Sequence, residues 1–370
     1  GDHRDLHSFP TRRSSDLINI IGTGLFKSGG MKIIFEYANR LSIKGHDVIY
    51  YYPIKQYTFG KEKFICKARR YYGAVKDHLL NKQEFKNFYK VDFPLKTIPF
   101  ISNKFVRDAD IVLATQWPTA YDVYDLSNQK GKKFYFLQDY EIWGSDVNRV
   151  DAALFLDLFK ITISNYNKEF FHNRFNIDTF VILNGIDYDL YNVDKKNFEK
   201  DEIVISFIEH HLDSKGVNIA IEVVEKLQKD NKNLKFICFG QNKYHKIPEF
   251  VKFYQNLTDE DVVSNVYGIT DIFIYPSLKE GFALPPAEAM ACKCAVVTTT
   301  VGAVPEYSIH ERTAIHVSPN EPEQLYAAVA DLLQNKNKIK YLANNAYSDI
   351  RKKLDWNASV ALMEELFQKS

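Results

Sequence analysis

Asp271–Glu306 reads DIFIYPSLKEGFALPPAEAMACKCAVVTTTVGAVPE, and the order of its apolar and punctuating residues decides the fold. Ile272–Tyr275 is an unbroken apolar run, too short for a helix and suited to a strand buried on both faces. Pro285 and Pro286 then open a helix, expected over Pro286–Ala291, because proline fits the first helical turn. Ala295–Thr299 is a second buried strand. Strand, loop, helix and strand in succession form a parallel unit, and ligands of such sheets lie beyond the carboxyl ends of the strands. Glu280 falls there.

After Glu280 come the backbone N–H groups of Gly281, Phe282 and Ala283, then the helix start, a favourable place for an anion. Glu288 is expected in the first turn, with seven residues between it and Glu280. Two carboxylates around an anion-binding loop suit a ligand with hydroxyls at both ends and phosphate between, the layout of a nucleotide sugar. An acid that simply caps the helix dipole is the other reading of Glu288.

The same alternation runs outward in both directions. Upstream, strands are expected at Ile18–Ile21, Asp47–Tyr52, Ile111–Ala114, Phe134–Leu137, Ile161–Ser164 and Phe180–Leu183, with a helix over Met31–Ile43. A polar stretch, Asp187–Asp201, reads as a linker. Beyond it come strands Ile203–Ile208 and Leu234–Phe239, helices Val217–Gln228 and Asp259–Tyr267, and a strand around Ala314–Val317. Further helices begin at Pro322 and near Ile339. The pattern is α/β, two doubly wound Rossmann-like domains facing across a cleft.

With 370 residues, two domains are the default. Net charge is +1, which gives no reason to expect nucleic acid as a partner. Residues 61–90 carry nine Lys/Arg against three acids, interleaved with aromatic residues. That composition reads as a peripheral contact with anionic membrane or as a solvated helix pair over the sheet. Cys66, Cys238, Cys292 and Cys294 match no zinc or disulfide spacing, which suits a reducing compartment and a cytoplasmic location, including the inner face of the membrane. No apolar run is long enough to span a bilayer. Gly1–Leu17 has no periodicity, and Leu6–Leu17, read back through the genetic code, resembles a common short-read sequencing adapter. It is expected to be an artefactual tail, with the true start codon missing.

Residues 280–306, with Asp271 and Pro276-Ser277 before them, resemble the donor-site signature of the retaining GT-B glycosyltransferases of family 4, the glycosyl transferases group 1. Ser28-Gly29-Gly30 resembles the family's amino-terminal glycine loop, and Asn184-Gly185-Ile186-Asp187 its loop ahead of the linker. The resemblance implies an acceptor-side domain over 18–187, a linker over 188–200 and a nucleotide-sugar domain over 201–350. A C-terminal helix follows over 351–370, expected to return to the amino-terminal domain. It implies that Glu288 binds the donor ribose, and that Glu280 contacts the donor sugar with the amides of Gly281, Phe282, Ala283 and Leu284. Lys215 and the N–H groups of Gly29 and Gly30 would stabilise the diphosphate. Where the family usually has an arginine, about five residues before that lysine, this chain has Glu209-His210-His211, and His210 is the expected stand-in, as a neutral donor or as a cation. Gln138-Asp139 stands where many relatives place a histidine; Asp139 accepts the acceptor's proton or caps a helix.

Asp108 and Asp110 resemble a metal-binding pair but precede a plain strand, and His210-His211 are expected to point to opposite faces of one. No metal or cofactor is expected, the nucleotide sugar being a substrate. The expected reaction is glycosyl transfer, with retention, to a sugar or lipid-linked glycan in cell-surface polysaccharide synthesis. The alternatives are an epimerase or hydrolase of the same fold, or a weakly catalytic sugar-nucleotide-binding subunit.

Overall fold

The computed structural model describes residues 15–54, 57, 89–142, 146–230 and 233–369. Ser14 and the residues before it, and 61–88 of the basic stretch, lie outside the described residues.

Seven strands form the first sheet: β1 (Leu17–Ile21), β2 (Asp47–Pro53), β3 (Leu95–Ile98), β4 (Ile111–Ala114), β5 (Lys132–Leu137), β6 (Phe159–Thr162) and β7 (Phe180–Val181). Their order is β3-β2-β1-β4-β5-β6-β7. The chain then enters β8 (Ile203–Ile208), β9 (Leu234–Gly240), β10 (Val251–Gln255), β11 (Ile272–Tyr275), β12 (Ala295–Thr299) and β13 (Ile315–Val317), ordered β10-β9-β8-β11-β12-β13. The central pairs β1–β2, β1–β4, β8–β9, β8–β11 and β11–β12 are parallel. Strands β11 and β12 are buried along their whole length, as continuous apolar runs require in a sheet covered on both faces.

Two edge strands, β3 and β10, escape the sequence pattern. Their sequences, LKTI and VKFYQ, mix buried with exposed and half-buried positions, so they lack the apolar run that marks central strands. The segment expected as one helix over Asp259–Tyr267 is an α turn, Asp259–Val262, followed by a π turn, Val263–Tyr267. Leu17, the last residue of the expected tail, lies within a strand. Leu17 pairs with Asp47 in β1, and the Asp16 carbonyl accepts from Asp47 N. Strand pairing uses backbone groups, so it does not depend on which side chain stands there. Asp108 and Asp110 have structural partners: Asp108 pairs with Lys130 at 2.7 Å and Asp110 accepts from Leu17 N at 2.7 Å.

The described residues divide into two compact units, one up to Leu137 with Glu141–Lys160 and the end of the chain from Glu365, the other Gln138–Tyr140 with Ile161–Glu364. In the first, the last turn of the helix Trp356–Lys369 sets Phe367 edge-on against Phe134 of β5, ring centroids 5.0 Å apart. In the second, β8, β9, β11 and β12 pack against helices Val217–Asp230 and Pro322–Gln334 through residues such as Phe207, Val224, Ile274 and Val329. Phe367 is 2% exposed, so Phe367→Ala leaves a cavity beneath β5 and should destabilise the protein by about 3–5 kcal/mol. Urea titration of variant and wild type measures this; a loss under about 1 kcal/mol would mean that the final turn does not pack there.

Candidate active site

Strands β8 and β11 are neighbours, so their carboxyl-end loops meet. The loop after β8 makes a tight turn, Asp213–Lys215, closed by Gly216 at φ +68°. A Cβ on Gly216 would lie 2.0 Å from the Pro276 carbonyl oxygen, so glycine alone lets the two loops touch. Leu278 N then donates to Ser214 O at 2.7 Å. This stitching delivers Lys215 to Glu280.

Glu280 is 7% exposed, and its Oε1 accepts three hydrogen bonds of 2.7 Å, from Lys215 Nζ, Tyr275 Oη and Ser277 Oγ. Burial, and next the Glu280 charge, push the Tyr275 phenol well above its ordinary pKa, so Tyr275 is a permanent donor. Glu288 is also buried. Tyr267 Oη donates to its Oε2 at 3.3 Å, and Tyr191 is hydrogen-bonded to it as well. Burial first, and Glu288 second, raise both phenols well above 10. The π turn is what aims Tyr267 at Glu288: Gly268 N reaches back to Val263 O, five residues earlier, at 2.7 Å.

The helix expected from Pro286 runs from Leu284 to Ala291. Ala283 is its N-cap, in the left-handed region at φ 67° and ψ 78°, which explains why glycine is the easier residue there. Glu288 therefore sits in the second turn, not the first, and is held by tyrosines rather than by the helix N-terminus. Phe282 is buried against Tyr307, whose hydroxyl donates to Ala283 O at 2.8 Å.

His210 and His211 lie past the end of β8, not on it, so their side chains are not forced to opposite faces. Their rings stack with centroids 4.5 Å apart. Among the described residues no cluster of three His, Cys, Asp or Glu could hold a metal. Leu212 N donates to His210 Nδ1 at 3.1 Å, which places the ring proton on Nε2. Burial, then the charge of Lys215, lowers the His210 pKa to about 4. At neutral pH His210 is a neutral Nε2–H donor and not a cation.

Asp139 lies in the same unit, its Oδ1 accepting from Tyr140 N at 2.7 Å. Burial raises its pKa, against the lowering field of Lys279. The structure thus gathers Lys215, Glu280, Gly281, His210 and Asp139, with Glu288 on the same helix as Leu284. Tyr275 and Tyr307 feel the charge of both glutamates. Gly29 and Gly30 belong to the other unit, where they open the helix Gly29–Ile43 behind its N-cap Ser28. The tyrosines that hold the glutamates escape sequence reading: each looks like one more core aromatic.

Residues 192–349 match the family described as Glycosyl transferases group 1. An uncharacterised glycosyltransferase of Methanocaldococcus jannaschii is 26% identical over 247 residues, 58% of this chain and 62% of the relative. The phosphatidylinositol N-acetylglucosaminyltransferase GPI3 subunit of Saccharomyces cerevisiae is 28% identical over 186 residues, 44% of this chain and 38% of that subunit. The chain thus spans 62% and 38% of the length of these curated relatives. Among solved structures, Anabaena HepE in complex with UDP-glucose superposes with a TM-score of 0.72 at 15% identity, covering 96% of this chain and 100% of HepE. The fold is that of the GT-B glycosyltransferases.

The His210 environment carries a pH prediction. Its folded pKa, about 4, lies below the unfolded value of 6.5, so the unfolded chain binds more protons between these limits. Stability from this group is full above pH 6.5 and is lost as pH falls toward 4. In parallel urea titrations, His210→Gln should flatten the fall in stability across that window. Identical pH slopes for variant and wild type would contradict the buried, neutral imidazole.

Proposed function

We propose that the protein is a glycosyltransferase that moves a sugar from a nucleotide-sugar donor to an acceptor, with retention at the anomeric carbon. The observation that carries this reading is the meeting of Lys215 Nζ and Glu280 Oε1 at 2.7 Å beyond the ends of two adjacent parallel strands. The match of residues 192–349 to the glycosyl transferases group 1 family supports it.

As the bond from sugar to diphosphate lengthens, negative charge grows on the leaving group. In this reading Lys215 turns from Glu280 to that charge, and His210 Nε2–H and the amides of Gly281, Phe282, Ala283 and Leu284 donate beside it. The family resemblance also assigns the N–H groups of Gly29 and Gly30 to the diphosphate. Such preorganised donors are worth roughly 3–4 kcal/mol each. Glu280 holds donor-sugar hydroxyls and Glu288 the ribose hydroxyls, each fixed by phenols that cannot ionise near neutral pH. Asp139, with its pKa raised by burial, takes the acceptor's proton. No metal enters this scheme, since Lys215 supplies the positive charge.

The acceptor class is a sugar or lipid-linked glycan, in cell-surface polysaccharide synthesis. A cytoplasmic site is supported by the free, buried thiols of Cys238, Cys292 and Cys294. No described helix is long and apolar enough to cross a membrane. Residues 61–90 would meet anionic lipid. Co-sedimentation with anionic vesicles should then be lost as salt rises to about 1 M, where screening shortens to about 3 Å. Binding that is indifferent to salt removes the electrostatic contact.

Steady-state kinetics with the nucleotide sugar that best protects the protein against heat tests the site. Lys215→Ala should lower kcat by tens- to hundreds-fold, roughly 2–3 kcal/mol, because the charge it neutralises grows along the reaction. Glu288→Gln should raise the donor KM with a nearly normal kcat, since the ribose contact is equal in ground and transition states. Wild-type efficiency in both variants would sink this assignment.

A further inference from the structure

We propose that Ser164 and Asn167, at the start of the helix Asn165–Phe175, are positioning residues that lock the Glu280–Gly281 loop against the Gln138–Asp139 loop. The proposal rests on the transferase reading for its catalytic meaning, and on geometry for the lock itself.

Ser164 is the N-cap of this helix, and its Oγ accepts from Asn167 N at 3.1 Å. An ordinary cap ends there. This one is wholly buried, and the same hydroxyl donates its proton to Gly281 O at 3.1 Å, 117 residues along the chain. Asn167 is 2% exposed, and its Nδ2 donates to Gln138 O at 3.0 Å. Burying an amide costs free energy unless a partner compensates, so the turn is organised around these two carbonyls.

The carbonyls come from the two loops that hold Asp139 and Glu280. The loops meet at Gly281. A Cβ there would lie 2.4 Å from Gln138 O and 3.4 Å from Asn167 Nδ2. The backbones are therefore in close approach, with Ser164 and Asn167 bridging them from one side.

A third loop is tied to the same turn. Glu306 Oε2 accepts from Asn165 N at 3.0 Å and from Asn165 Nδ2 at 2.8 Å, while Oε1 accepts from Tyr166 N at 3.1 Å. A carboxylate on the free N–H groups of a helix is favourable through both hydrogen bonds and the dipole. One helix start thus references three loops that follow strands β5, β11 and β12. In the proposed reaction Ser164 and Asn167 act through these loops rather than on substrate. Its effect is to fix where the Asp139 and Glu280 carboxylates stand relative to each other.

The test uses the full chain and the variants Asn167→Asp, Ser164→Ala and Ser164→Thr. Asn167→Asp keeps shape but replaces a donor with an acceptor facing Gln138 O. Ser164→Ala deletes the bridging hydroxyl, and Ser164→Thr retains it. Amide hydrogen exchange is read over residues 277–284, with the β11 amides as the internal reference. The first two variants should raise exchange in 277–284 by about ten-fold or more while β11 stays protected, and Ser164→Thr should restore protection. With UDP-glucose, or the nucleotide sugar that wild type uses, their kcat should fall about ten- to hundred-fold with donor KM changed less than about three-fold.

Unchanged exchange in both variants overturns the lock, whatever the protein catalyses. Raised exchange with normal kcat overturns its positioning role. A wild type that turns over no nucleotide sugar sinks the transferase reading and leaves the lock to stand or fall on exchange alone. Should Asn167→Asp fail to fold, the Ser164 pair makes the same comparison.

Discussion

A carboxylate withdrawn from water needs compensation, and Glu280 receives it at a single oxygen from an ammonium, a phenol and a hydroxyl. The three donors come from three places: the turn after β8, the last residue of β11 and the loop that follows. Their meeting constrains the architecture around them. Strands β8 and β11 must be adjacent, Gly216 must lack a side chain, and Tyr275 must end its strand facing the loop. Each condition is a fold-level fact with a local chemical purpose.

Glu288 is held by a different device. Its partners, Tyr191 and Tyr267, are buried phenols kept neutral by their surroundings. A neutral donor orients a carboxylate without cancelling its charge. Glu280, paired with Lys215, can exchange that partner when an anion arrives, whereas Glu288 keeps its tyrosines. In the proposed reaction this separates a glutamate coupled to the leaving group from one that only grips the donor.

The central strands and the site loops were legible because their signals are local. Ile111–Ala114, Ile203–Ile208, Ile272–Tyr275 and Ala295–Thr299 are bounded as the structure bounds them, since apolar runs between polar loops leave little choice. Lys215 and Glu280 lie 65 residues apart, and it was the family resemblance, not spacing, that paired them. Edge strands β3 and β10 were illegible because half-exposed strands carry a diluted pattern. The π turn and the left-handed Ala283 were illegible for another reason: both are backbone solutions to tertiary demands, with no composition of their own. The second-turn place of Glu288 follows from Ala283, which starts the helix two residues earlier than the prolines suggest.

Where the family usually has an arginine, this chain has a histidine, and the structure gives that difference a physical sense. An arginine at the end of β8 would remain charged. His210, desolvated and beside Lys215, does not carry charge near neutral pH, and its Nδ1 is already committed to Leu212 N. It therefore contributes one directed hydrogen bond where arginine contributes charge and several donors. In the proposed reaction the electrostatic burden shifts toward Lys215. A diphosphate brought near His210 would favour the imidazolium, so protonation and donor binding would be coupled at this position. The replacement trades a fixed charge for one directed donor, and the Leu212 N bond to Nδ1 opposes the imidazolium that a diphosphate would favour.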